Sequence, residues 1–97
     1  MEFSLDEIVV GDNPQASRFE ATLDDTLMAV AQYERTGGQI TFTHTIVAEA
    51  AEGRGVGGKL VAFALDQARA EELAVVPLCP FVQSYLRRHP EYRDLVR

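Results

Sequence analysis

The chain has no tryptophan, one cysteine and no long apolar run, and each shortage closes off a class of function. A single thiol, Cys79, can neither form an internal disulfide nor build a cysteine-rich zinc site. No apolar stretch approaches the roughly 18 residues that a membrane-crossing helix needs, so no membrane partner is expected. Positive charge is also scarce: 9 Lys and Arg against 15 Asp and Glu give a formal net charge of −6. A phosphate backbone attracts the opposite balance, so no nucleic-acid partner is expected either. The start, Met1-Glu2-Phe3-Ser4-Leu5-Asp6-Glu7, is acidic and lacks the basic-then-apolar order of a signal peptide. A cytoplasmic protein, a monomer or weak dimer, fits best. The acidic balance is compatible with a basic or amine-bearing substrate. With 97 residues, 46% of them hydrophobic, the chain can bury one modest core and is expected to form a single domain over 1–97.

What is present is an ordered series of short patterns. Residues 3–10 are ambiguous and read as a short strand, and Gly11-Asp12-Asn13-Pro14 is a turn signal. Residues 18–23 and 27–35 read as two arms of a hairpin around Asp24-Asp25. After Thr36-Gly37-Gly38, residues 39–48 alternate cleanly. That alternation assigns Ile40, Phe42, His44 and Ile46 to one face and Thr41, Thr43, Thr45 and Val47 to the other. From Val56 the period becomes helical, with Val56, Leu60, Phe63, Ala64 and Ala68 on one side. Residues 74–78 form a short apolar run, read as a buried strand. Pro80 suits the first position of a second helix capped by Cys79, ending near His89-Pro90. Residues 91–97 could add a last helical turn. The fold class is therefore α/β, with layered α+β character: a mostly antiparallel sheet of three to five strands and two main helices.

Between strand and helix lies Glu52-Gly53-Arg54-Gly55-Val56-Gly57-Gly58-Lys59, which holds four of the seven glycines. Glycine lets backbone N–H groups approach a ligand closely, and the positive end of the following helix favours phosphate oxygens. The run satisfies G-x-G-x-x-G, but dinucleotide-binding folds place that motif after the first strand of a parallel sheet, with an acid about 20 positions on. Antiparallel hairpins come first here, and residues 74–78 contain no acid. It also matches most of a P-loop, whose next residue must be Ser or Thr to bind magnesium; this chain has Leu60. A third pattern fits the context: strand, x-x-G-x-G, amphipathic helix. It resembles the acetyl-CoA loop of the GNAT superfamily of N-acetyltransferases.

The resemblance extends over nearly the whole chain. His44-Thr45-Ile46-Val47, the glycine run, Val76-Pro77-Leu78-Cys79-Pro80-Phe81-Val82, Tyr85 and His89-Pro90-Glu91-Tyr92 resemble the small single-domain GNAT-like family. The resemblance implies a minimal GNAT-like fold and transfer of an acetyl group from acetyl-CoA to an amine acceptor. The alternative it leaves open is a CoA-binding module with little or no catalysis, since the chain is shorter than most GNAT proteins. By the resemblance, Gly53, Arg54, Gly55, Val56, Gly57, Gly58 and Lys59 hold the CoA pyrophosphate, and backbone groups of Ile46, Val47 and Ala48 pair with the pantetheine arm. The superfamily usually has Gln or Arg where this chain has Glu52. That shifts binding onto the backbone and makes Arg54 and Lys59 the expected side-chain partners.

Three side chains could carry chemistry. Cys79, at a helix N-terminus, could contact the ligand or carry the acetyl group, or be a small buried apolar residue. His44 could take the proton of the incoming amine, or be a satisfied core histidine. Tyr85 matches the tyrosine that in many GNAT proteins protonates the departing thiolate, and could equally serve only by packing its ring. Arg87, Arg88 and His89 suit the negative end of their helix and could reach the 3′-phosphate of CoA. No metal is expected.

Overall fold

Five strands and two helices follow one another in the computed structural model, which describes residues 2–97. The strands are β1 (Val9–Asn13), β2 (Arg18–Leu23), β3 (Thr26–Thr36), β4 (Gln39–Val47) and β5 (Ala74–Pro77), and they lie in the sheet in chain order. The first four pair antiparallel, and β5 joins β4 in parallel. The helices are α1 (Val56–Ala70) and α2 (Pro80–Arg88). Short 3-10 turns occupy Leu5–Glu7, Pro14–Ala16, Glu49–Ala51 and Pro90–Leu95.

Asp24 and Asp25, with φ of 48° and 67°, make the two-residue connection between β2 and β3. Left-handed backbone at both positions matches the twist of the arms it joins. Two regions differ from the sequence reading. Residues 3–10 are not one strand: Ser4 caps a 3-10 turn, its Oγ accepting from Asp6 N and its own N–H donating to Glu7 Oε1. The strand begins only at Val9 and runs through Gly11, Asp12 and Asn13, which pair with Glu20, Phe19 and Arg18. The turn follows them, with Asn13 Oδ1 capping it at Ala16 N. Ladder pairing outweighs the local turn preference of Gly-Asp-Asn.

The larger difference is in β4. Gln32 faces His44, but the next residue, Tyr33, faces Phe42. Thr43 is therefore an extra residue, a β-bulge, and a bulge reverses the side-chain parity beyond it. Ile40 and Phe42 point into the core, 1% exposed each. Past Thr43 it is Thr45 and Val47 that turn inward, Thr45 against Cys79 and Val47 against the core. His44 and Ile46 turn out; His44 is exposed and Ile46 is 58% exposed. The one-face grouping of Ile40, Phe42, His44 and Ile46 is thus corrected.

Both helices pack on one face of the sheet. Val56, Leu60, Val61, Ala64, Leu65 and Ala68 of α1 and Val82, Tyr85 and Leu86 of α2 join the inward residues of the strands in one core. Each large apolar side chain buried there contributes about 1.5–3 kcal/mol. Phe19 holds the centre, 5.1 Å from the ring of Tyr33 and edge-on to Phe63 at 6.0 Å. The last turn is fastened to α1: Arg69 donates to both carboxylate oxygens of Asp94 and to the Glu91 carbonyl, and Tyr92 Oη donates to Asp66 Oδ1. Among the described residues no helix is long and apolar enough to cross a membrane.

One feature of the sheet positions the site. β5 pairs with β4 only from Gln39 to Phe42. There the chain leaves the sheet: the N–H groups of Leu78 and Cys79 both donate to the Phe42 carbonyl, at 3.1 and 3.0 Å, and Pro80 starts α2. Beyond Phe42, β4 has β3 on one side and a slot on the other.

Candidate functional site

The glycine run makes one wall of a cleft. Gly55, with φ of 84°, is the N-cap of α1 in left-handed backbone that a residue with a Cβ adopts only under strain. Gly57 is needed for space. A Cβ there would stand 2.6 Å from Phe81 Cζ and 3.2 Å from Val47 Cγ2. Without that Cβ, the start of α2, the end of β4 and the first turn of α1 converge. The first intrahelical bond of α1 runs from Lys59 N to Gly55 O, so the N–H groups before it have no acceptor within the helix.

The cleft, about 430 Å³, is lined by Ala51, by Gly53, Gly55, Val56, Gly57 and Gly58 of the glycine run, and by Phe81, Tyr85, Arg88 and His89 of the facing α2 segment. The backbone wall offers N–H donors and the positive end of a helix, and the opposite rim carries a guanidinium. This is a setting for an anion with an extended body. A Cβ on Gly57 would push Phe81, itself a wall of the cleft, out of place, so the shape of the cleft depends on glycine there.

Arg54 and Lys59, the side chains expected at the phosphate, are held by the N-terminal segment instead. The Lys59 ammonium donates to the carbonyls of Leu5 and Ile8, at 2.6 and 2.9 Å. The Arg54 guanidinium donates to the Phe3 carbonyl at 3.4 Å and lies 4.4 Å from the centre of the Phe3 ring. Neither side chain lines the cleft. Glu52 is exposed and does not line it either. The guanidinium that lines the cleft, that of Arg88, comes instead from the end of α2.

Tyr85 stands in the facing wall, its ring 3.8 Å from the position of a Cβ on Gly58 and stacked on His89 at 4.0 Å. Burial raises its pKa, the Glu91 and Asp66 carboxylates raise it further, and the Arg88 guanidinium opposes them. The phenol is therefore a donor at neutral pH. Cys79 lies about 9 Å away along the axis of α2, at 1.5 Å per residue. It is 2% exposed, and its Sγ is 3.2 Å from Thr45 Oγ1. His44, adjacent to Thr45 in sequence, projects from the opposite face of the sheet, so the structure does not bring His44 and Cys79 together. Cys79 and His44 flank the slot from its two sides.

Of Ile46, Val47 and Ala48, Ala48 has its N–H committed to the Met28 carbonyl at 2.8 Å, on the β3 side. Alternation along the strand turns the backbone groups of Val47 toward the slot. On the outer face a shallow apolar hollow of about 130 Å³ lies among Leu27, Met28, Ala29, Val30, Ile46 and Ala48. Among the described residues no cluster of His, Cys, Asp or Glu could hold a metal.

Two residues of the site were assigned no role in the sequence reading. Phe81 lies within the quoted Cys79-Pro80-Phe81-Val82 string but carries no chemistry of its own, so nothing marked it as a wall. Thr45 lies within the quoted His44-Thr45-Ile46-Val47 string, but its inward direction depends on the bulge and so nothing marked it as a partner of Cys79.

A family model described as GCN5-related N-acetyl-transferase matches residues 18–95. Among solved structures, the chain is similar to a protein from Staphylococcus aureus described as GCN5-like and determined by NMR in solution. The TM-score is 0.73, with 24% identity over 94% of this chain and 89% of that one. That likeness carries the fold. No curated protein matches the chain.

Proposed function

The chain belongs to the GCN5-related N-acetyltransferase family, and from that premise we propose that it transfers the acetyl group of acetyl-CoA to an amine. The observation that carries the reading is the cradle: a left-handed Gly55 opening α1, and a Gly57 whose missing Cβ admits Phe81 and Val47 beside the first turn. Backbone N–H groups of the loop would hold the pyrophosphate, and Arg88 would face it from the other rim. Beyond Phe42 the slot beside β4 suits the pantetheine arm, whose amides can use the backbone groups of Val47.

Acetyl-CoA supplies an activated thioester carbonyl. The protein must receive a neutral amine, take its proton, hold the oxyanion that forms and protonate the departing thiolate. The slot is open on the outer face, where His44 is exposed and the apolar hollow could receive the aliphatic stem of an amine. His44 is our proposed proton acceptor there. Uncommitted N–H groups of β4 suit the oxyanion. Cys79 stands closer to the slot than Tyr85 does. Tyr85, whose raised pKa keeps its phenol protonated, is our proposed proton donor to the departing thiolate. A cytoplasmic setting and an amine on a small molecule, peptide or protein complete the reading.

Calorimetric titration with acetyl-CoA is the test. Saturable binding that Gly57→Val removes supports the proposal, and absence of both heat and thermal shift overturns it. Intact-mass measurement after incubation with acetyl-CoA then decides the route. An acetyl adduct lost in Cys79→Ala means passage through the thiol. No adduct, with amine acetylation kept by Cys79→Ala, means direct transfer. Binding without acetylation of any amine in a broad labelled screen would favour a CoA-binding module.

A further inference from the structure

We propose that the N-terminal segment Phe3–Ile8 braces the glycine loop, and that Lys59 serves cofactor binding through this brace as a positioning residue, not as a phosphate ligand. The inference rests on reading the loop as the acetyl-CoA site.

Three contacts converge, all bridging about half the length of the chain. The Lys59 ammonium bonds both the Leu5 and the Ile8 carbonyl. The Arg54 guanidinium bonds the Phe3 carbonyl and covers its ring. Leu5 packs on the loop itself, its Cδ1 3.1 Å from where a Cβ on Gly55 would be. The braced residues 54, 55 and 59 span the start of α1, and Gly55 is the left-handed N-cap on which the loop pivots.

Physical chemistry supplies a reason for this arrangement. Glycine loses more conformational freedom on ordering than any other residue, so a loop with four of them is loose unless something else fixes it. A cation in the first turn of a helix also stands at the wrong end of the dipole. Two carbonyl acceptors from the segment offset that cost for Lys59. They also use two of its three N–H donors and draw it away from the cleft. A loop fixed before the ligand arrives spares the ligand the ordering cost, and this appears as affinity.

The test compares acetyl-CoA dissociation constants of the full chain and of Leu5→Ser, Lys59→Met and the double variant, each first checked for folding by circular dichroism. Leu5 and Lys59 both lie outside the cleft lining, so a brace predicts that either change alone weakens binding about five- to tenfold, the cost of restoring a few ordered torsions. The double variant would then lose little more, and the dependence of affinity on salt would stay as in the parent. If Leu5→Ser binds as the parent does while Lys59→Met weakens binding and flattens its salt dependence, Lys59 is a direct phosphate ligand and the proposal falls. Amide hydrogen exchange of the ligand-free protein is read in parallel. Leu5→Ser should speed exchange at residues 53–59 and leave α2 unchanged. If exchange in the loop does not change, the brace is refuted even if the chain binds no acetyl-CoA, so this failure is distinct from failure of the acetyltransferase reading.

Discussion

Thr45 Oγ1 and Cys79 Sγ lie 3.2 Å apart, and they join the part of β4 beyond its bulge to the start of α2. Cys79 is 2% exposed, so a reagent reaches its thiol only when this junction opens. Alkylation of Cys79 in the native protein should run at least about tenfold slower than in the urea-unfolded chain. Thr45→Val keeps the volume but removes the hydroxyl, and should cost about 0.5–1.5 kcal/mol in a denaturant melt. A native thiol that reacts as fast as the unfolded one would contradict the burial.

Gly57→Ala sets two effects against each other. Replacing a helical glycine gains roughly 0.5–1 kcal/mol in backbone entropy. The new methyl would sit 2.6 Å from Phe81 Cζ, and such overpacking costs about 1–3 kcal/mol. Overpacking should win. The melting temperature should fall by a few degrees, since 1 kcal/mol moves it by about 4–8 °C in a domain of this size. Phe81→Leu in the Gly57→Ala background should recover most of the loss. A melting temperature equal to or above the parent's would show that the ring swings away freely.

Arg88 is the guanidinium lining the cleft, while Arg87 points to solvent on the same helix end. Arg88→Ala should weaken acetyl-CoA binding about tenfold, the scale of one charge-assisted contact. Arg87→Ala should leave it within twofold, a margin set by screening at an exposed site. Comparing CoA with its 3′-dephospho form identifies the phosphate: equal losses for both assign Arg88 to the pyrophosphate. Equal affinities for Arg87→Ala and Arg88→Ala would dismiss any role for Arg88.

The phenols should make the fold sensitive to alkali. Burial pushes Tyr33 and Tyr92 up to about 12, and each donates its proton to a carboxylate, Tyr33 to Asp12 and Tyr92 to Asp66. Tyr85 is also raised, from the ordinary 10.0. A folded-state pKa above the unfolded value means that the protonated phenol stabilises the fold fully below about pH 10. That contribution then disappears as pH rises toward about 12. The urea midpoint should fall across this window, less steeply in Tyr33→Phe. In the native protein, spectrophotometric titration should find no phenol ionising at the ordinary value; one that did would refute the packing of that ring.

The hairpins, both helices and the glycine run were legible in the sequence because each depends on near neighbours: alternation, helical period, Asp-Asp and Gly-Gly at turns. What was not legible depends on partners far along the chain. The bulge at Thr43 is set by how β4 lies against β3, and no residue type announces it. It reassigns His44 and Ile46 outward and brings Thr45 to Cys79. Lys59 and Arg54 read as phosphate partners because they adjoin the loop, whereas their hydrogen bonds to the carbonyls of Phe3, Leu5 and Ile8 carry no side-chain signature. Likewise Gly11-Asp12-Asn13 reads as a turn until Arg18, Phe19 and Glu20 provide a ladder to pair with.

β4 changes character along its length. From Gln39 to Phe42 it is an interior strand, hydrogen-bonded on both sides. Past Thr43 it becomes a border, and Thr43 to Val47 carry none of the lysines or prolines that usually blunt one. The groups left open there can accept any extended chain, including a strand from a second copy. Occupation of the slot and self-association therefore draw on the same hydrogen-bonding groups, and whatever fills the slot also guards the protein against its own kind.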